Sequence, residues 1–181
     1  MAIADPITRR LRRLFVALDA DEDGFVGWGD HERIVDRYAT GYELAKDDPK
    51  ISSLERAYWS QWLGLLQQAS PGQERLSLDE FVAANRAAGF GANGSHLLDD
   101  IARAVFDVVD VDGDKKISRD EFARYLGLWG ISPEDAPLAF QRLDLDRDAF
   151  ISQQEVTKSI RAFHLYNDDL STPGGIFLGV H

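Results

Sequence analysis

Asp110–Glu121 reads DVDGDKKISRDE. Acids stand at its first, third, fifth and twelfth positions (Asp110, Asp112, Asp114 and Glu121), a bulky aliphatic at the eighth (Ile117), and a lysine, Lys115, at the sixth. Like charges packed this densely repel, each pair by about 1 kcal/mol at 4 Å even in bulk water. The loop therefore needs something to hold its oxygens together.

The same spacing occurs twice more. Asp19–Asp30 reads DADEDGFVGWGD and Asp144–Glu155 reads DLDRDAFISQQE, with Val26 and Ile151 at the eighth position. Apolar residues precede each loop at one-face helical spacing: Leu11, Leu14, Phe15 and Leu18; Ala102, Val105, Phe106 and Val109; Ala136, Ala139, Phe140 and Leu143. They follow each loop in the same way: Ile34, Val35 and Tyr38; Phe122, Tyr125, Leu126 and Trp129; Val156, Ile160 and Phe163. Each unit is therefore predicted to be helix, twelve-residue loop, helix. A fourth copy keeps only the frame. Trp59, Trp62, Leu63 and Leu66 are its predicted incoming face, and Phe81, Ala84 and Ala88 its outgoing one. Between them QQASPGQERLSLDE (Gln67–Glu80) is two residues longer, lacks the opening acids, and keeps Leu76 and Glu80 in register.

Helix–loop–helix with D-x-D-x-D and a closing acid is the EF-hand calcium loop, in which side-chain oxygens and one backbone carbonyl enclose a divalent cation. Acids in turns are also common as solvated caps, but three loops in matching helical frames argue against that reading. The net charge of −11 has the same origin, because twelve acids sit at ligand positions and the rest of the chain is close to neutral.

Two departures matter. The sixth position turns sharply with positive φ and normally holds glycine, as Gly24 does, whereas the other loops have Lys115 and Ala149. A Cβ there costs about 1–2 kcal/mol, and Gly113 is a candidate to share the bend. In the first loop the closing acid is Asp30, one methylene shorter than glutamate. Its weaker reach favours six-fold coordination, which makes Mg²⁺ a candidate for that site.

The order of functional, silent, functional and functional hands resembles the sarcoplasmic calcium-binding protein family and its bacterial relative calerythrin. The long excursion Ala39–Ser53 and the TPGGIFLG segment, Thr172–Gly179, extend the resemblance over the chain. It implies an all-α fold of four helix–loop–helix units in two pairs, compact, with short antiparallel β contacts between paired loops. Residues 1–88 would form the N-terminal pair, and residues 97–181 the C-terminal pair with a tail packed on the body. The stretch Gly89–His96 would join the halves, with a free linker between two lobes as the alternative to the compact form. The resemblance assigns Asp19, Asp21, Asp23, Phe25 and Asp30 to the first site. It assigns Asp110, Asp112, Asp114, Lys116 and Glu121 to the third, and Asp144, Asp146, Asp148, Phe150 and Glu155 to the fourth. Phe25, Lys116 and Phe150 would act through their carbonyls. Three Ca²⁺ ions are expected, with Mg²⁺ an alternative at the first site.

The family implies a Ca²⁺/Mg²⁺ buffer. A sensor for a dedicated protein partner is the alternative, although Met1 is the sole methionine and sensor grooves are methionine-rich. Calcium-triggered photoproteins, which oxidise coelenterazine in a central cavity, share the layout. Trp28, Trp59, Trp62, Trp129, His164 and Tyr166 could line such a pocket, but aromatics at helical spacing are usually core. His31, His96, His164 and His181 lack metal-ligand spacing, and no nucleophile–base arrangement points to an enzyme. The acidic balance argues against nucleic acid. With no cysteine there is no disulfide framework. Leu14–Leu18 is too short for a signal segment, and no run is long enough to span a bilayer. The expectation is a cytoplasmic monomer whose protein partner, if it has one, is not readable from sequence.

Overall fold

Helix α1 (Pro6–Leu18) starts where the side chain of Asp5 accepts the Thr8 N–H (3.2 Å) and hydroxyl (2.8 Å), with proline in the first turn. Both are standard start signals, since early helical N–H groups lack partners and proline has none to lose. A computed structural model describes residues 5–89, 94–132, 134–166 and 173–178. Its other helices are α2 (Trp28–Gly41), α3 (Pro49–Leu66), α4 (Leu78–Gly89), α5 (Gly94–Val109), α6 (Arg119–Leu128), α7 (Ala136–Leu143) and α8 (Gln153–Leu165).

Each consecutive pair of helices brackets one loop, and the loops meet back to back. Strands β1 (Phe25–Gly27) and β2 (Arg75–Ser77) pair antiparallel, with Val26 opposite Leu76. In the C-terminal pair Ile117 and Ile151 exchange both backbone hydrogen bonds at 2.9 Å. All four of these eighth-position side chains are fully buried. They anchor the loops to the core and place the acids outward.

The two halves share one core. Helix α3 packs along α5, and α8 packs against α1, α4 and α5. Tyr38 of α2 meets Tyr125 of α6, hydroxyl to hydroxyl at 3.4 Å, and both rings contact Trp129. A 3₁₀ turn (Pro173–Leu178) completes this core. Phe177 is fully buried and stacks 5.5 Å from Tyr125, whose hydroxyl donates to Ile176 O at 2.7 Å. Thr172, Gly179 and the inter-half residues 90–93 lie outside the described residues.

The predicted apolar faces are buried in the three acidic units, with Ala139 only partly covered. The incoming face of the silent unit is a correction. Trp59 and Leu63 are each 41% exposed, and the core side of α3 is made by Ile51, Leu54, Tyr58, Trp62 and Leu65. The second half of α3, from Ala57 to Leu66, is apolar on most sides, so both registers satisfy the 3.6-residue period. Packing against α2, α4 and α5 selects one of them.

Arg10 was also unexpected. It is 2% exposed, and its guanidinium donates to Phe163 O (2.8 Å), Ala162 O (3.3 Å) and Tyr166 O at the end of α8. A cation on the last carbonyls of a helix satisfies them and complements the dipole. Nearby, His164 is buried, and its Nδ1–H donates to Ile160 O at 3.1 Å. Burial, joined by the charge of Arg10, pushes its pKa down to about 4. The unfolded imidazole titrates near 6.5, so the unfolded chain binds more protons between those values. Stability linked to His164 is therefore complete above about pH 6.5 and falls as pH drops towards 4. At saturating calcium, wild type should lose up to about 1.4 kcal/mol per pH unit more than His164→Gln over this range, read as melting temperature against pH. Parallel curves would contradict it.

Candidate metal centre

The third and fourth loops have the same construction. Asp110 Oδ2 accepts the Lys115 N–H (3.0 Å) and Asp144 Oδ2 the Ala149 N–H (3.1 Å). Asp112 and Asp146 accept from the N–H groups of Asp114 and Asp148, which in turn accept from Lys116 and Phe150. The backbone is thus wound around the carboxylates, and it has positive φ at the fourth and sixth positions. At the sixth these are Gly24 (+83°), Lys115 (+68°) and Ala149 (+71°); at the fourth, Glu22 (+56°), Gly113 (+75°) and Arg147 (+63°). The expected strain at Lys115 and Ala149 is present, and Gly113 takes its part of the bend. A Cβ at Gly24 would meet no atom within 4 Å, so conformation alone favours glycine there. Ala149→Gly should raise stability by about 0.5–1 kcal/mol, the removed strain less the added freedom of the unfolded chain, and Gly24→Ala should lower it similarly. Thermal melting of the calcium-loaded variants is the check, and a lower melting temperature for Ala149→Gly would refute the strain argument.

The closing glutamates span the loops. Glu121 accepts the Ser118 N–H and hydroxyl on one oxygen (2.8 Å each) and the Val111 N–H on the other (2.8 Å). Glu155 does the same with Ser152 (2.8 Å each) and Leu145 (2.7 Å). Serine at the ninth position and glutamate at the twelfth also form the capping boxes of α6 and α8, so one residue both starts a helix and closes a site. Burial pushes both glutamate pKa values up, but these hydrogen bonds outweigh it and hold the carboxyls below their usual range. Asp110 goes the other way. Burial raises it, with the charges of Glu121 and Asp114 adding, despite N–H donors from Lys115 and Gly113.

Carboxylate oxygens of Asp110, Asp112 and Glu121 lie within 4.8 Å of one another, as do those of Asp144, Asp146 and Glu155. In the first loop the group is Asp19, Asp21 and Asp23, without Asp30. Asp30 reaches only the near side, accepting the Gly27 N–H at 2.7 Å, and its other oxygen pairs with Arg33. Asp114 and Asp148 stand at the loop rims, outside the tight groups. Donor chemistry fits a hard divalent cation: oxygen ligands, alternating spacing, and a closing carboxylate with two oxygens presented. Phe25, Lys116 and Phe150, the seventh residues of the loops, donate their N–H groups to Asp23, Asp114 and Asp148 (2.8–2.9 Å).

The silent loop is closed from within. Glu80 accepts the Ser77 N–H (2.9 Å) and hydroxyl (2.6 Å), and its other oxygen takes the Gln73 side-chain amide at 2.6 Å. Those donors, the Ser77 hydroxyl first, hold Glu80 down to about 2. A side-chain amide here takes the oxygen that in the third and fourth loops accepts the second-position backbone N–H.

The family model for the EF hand matches residues 102–126, which hold the third loop. That stretch of the chain is an EF hand. Calerythrin of Saccharopolyspora erythraea is 24% identical over 169 residues, 91% of this chain and 96% of calerythrin. The sarcoplasmic calcium-binding protein of Perinereis vancaurica tetradentata is 24% identical over 134 residues, 74% of this chain and 75% of that protein. Among solved structures, calcium-loaded apo-aequorin from Aequorea victoria superposes with a TM-score of 0.77 at 19% identity, covering 92% of this chain and 93% of aequorin. At that identity the likeness is one of fold. Calcium binding through EF-hands is thus the role that sequence, geometry and relatives share, and no described helix is long and apolar enough to cross a membrane.

Proposed function

We propose that this protein is a Ca²⁺ buffer with three working hands, in which Asp19, Asp21, Asp23, Asp30 and Phe25, then Asp110, Asp112, Asp114, Glu121 and Lys116, then Asp144, Asp146, Asp148, Glu155 and Phe150 supply the ligands. The observation that carries the reading is that, among the described residues, the core beneath three built loops is filled. The pocket beside His31 and Tyr58 holds about 10 Å³ and the one beside His164 about 20 Å³, room for a water at most. A buffer needs no groove and no cavity.

The same filling weighs against a photoprotein, whose ligand needs several hundred Å³. The candidate aromatics also divide among separate places. Trp28, Trp59 and Trp62 gather around His31, Trp129 lies with Tyr38 and Tyr125, and Tyr166 is 54% exposed. One observation favours the sensor as second reading. Trp59 and Leu63 are exposed one turn apart on α3, and Trp59 contacts Trp28, the tenth residue of the first loop, at 4.7 Å. Calorimetric titration with Ca²⁺, with and without millimolar Mg²⁺, tests the proposal. A buffer gives three sites, Mg²⁺ competition at the first, and no calcium-dependent binding of a hydrophobic dye. Strong dye binding in the calcium form alone would replace the buffer with a sensor.

A further inference from the structure

The acids of the first loop are already paired with cations of the chain itself. Arg33, on α2, sets Nη2 against Asp30 Oδ1 and 3.2 Å from Asp21 Oδ2. Arg75, on β2 of the silent hand, sets Nη1 3.5 Å from Asp23 Oδ2, with its guanidinium 4.1 Å from the centre of the Phe25 ring. Three of the four acids at ligand positions are thereby engaged. Antiparallel pairing of Phe25–Gly27 with Arg75–Ser77 makes this contact possible, because it sets Arg75 opposite Gly27, from where its side chain reaches back to Asp23 and the Phe25 ring.

The C-terminal pair repeats the device more weakly. Lys116 Nζ lies 3.6 Å from Asp148 Oδ2 and 4.5 Å from the centre of the Phe150 ring. Among the described residues it is the one ion pair made to any ligand-position acid of the third and fourth loops. Lys50 Nζ approaches the third loop too, but it donates to the backbone carbonyl of Asp110, at 2.8 Å.

We propose that Arg33 and Arg75 compensate the first site from within, so that it fills last, and that the silent second hand serves the first by placing Arg75 there. The inference rests on reading the loops as calcium sites. The side chains of Arg33 and Arg75 are 47% and 61% exposed, so their ion pairs do little for the fold. Their effect on an entering ion is larger. A divalent cation must displace them from the carboxylates and is then repelled by each with twice the force of a unit charge. Asp30 makes the arrangement possible, because a carboxylate too short to span the loop is free to turn to Arg33.

The test uses the full chain titrated with Ca²⁺ and followed at the backbone amides of Gly24, Lys115 and Ala149, the sixth residues of the three loops. In wild type Gly24 should respond last. Arg33→Gln and Arg75→Gln should each lower the calcium concentration at its midpoint by on the order of threefold to tenfold, the double variant by more, with Lys115 and Ala149 scarcely affected. Arg33→Lys with Arg75→Lys should stay near wild type, separating charge from shape. Both arginines are exposed, so the variants should fold, and melting curves of the loaded forms verify it. A Gly24 midpoint unchanged in the double glutamine variant would overturn the inference while leaving the other two sites intact. No response at any of the three amides would overturn the calcium reading itself.

Discussion

Chelating calcium should lower the melting temperature by roughly 15–30 °C, three sites contributing about 2.7 kcal/mol each at a free concentration of 100 times the dissociation constant. The structure supplies the reason. Oxygens of Asp110, Asp112 and Glu121, and of Asp144, Asp146 and Glu155, are held within 4.8 Å of one another by backbone N–H donors. Without a cation their repulsion falls on the folded state, and the unfolded chain escapes it by separating them. The loss should be uneven. In the first loop Arg33 and Arg75 offset the repulsion, and the silent loop closes on its own Gln73 amide. Amide exchange in chelator should therefore open α5 to α8 before α1 to α4, and gel filtration should show a larger particle. Melting curves that coincide in chelator and in Ca²⁺, at equal ionic strength, would exclude the coupling.

Glu155→Gln and Glu121→Gln should each weaken one site by on the order of 100-fold or more, about 3 kcal/mol, since even residues that merely support a ligand cost 10–100-fold. Each glutamate offers one oxygen to a ninth-position N–H and hydroxyl and the other to the second-position N–H across the loop. Glutamine keeps the shape, loses the charge, and points an amide donor at one set of donors. The effect should also cross between loops. Ile117 and Ile151 exchange backbone hydrogen bonds, and Lys116 leans on Asp148. Glu155→Gln should therefore shift the third site several-fold while leaving the first in place. Titration calorimetry would show two strong sites become one, and an unchanged count of strong sites would refute the role given to the glutamate.

The repeat fixed much in advance. Acid spacing located three loops, the family resemblance implied the strand contacts between them, and helical periodicity predicted most of the buried faces. Spacing and periodicity are local signals: a carboxylate every second residue or an apolar residue every third or fourth has the same meaning in any tertiary setting. Positive φ at Lys115 and Ala149 was legible for the same reason, since the loop's turn is set within twelve residues.

Other features depended on residues far apart in sequence. The core face of α3 was ambiguous because its second half, from Ala57 to Leu66, is apolar on most sides, and packing against α2, α4 and α5 decides that Tyr58 is buried beside His31 and Trp59 is exposed. Burial of Arg10 depended on the end of α8, more than 150 residues away. The pairing of Arg75 with Asp23 follows from strand register between two hands, one of which has no ligands. In the sequence it is an arginine in a silent loop. The chain alone therefore determined where calcium can be held, through chemistry contained in each loop. Which charges compete with the ion, and which helix faces close over one another, were decided only when distant segments packed together.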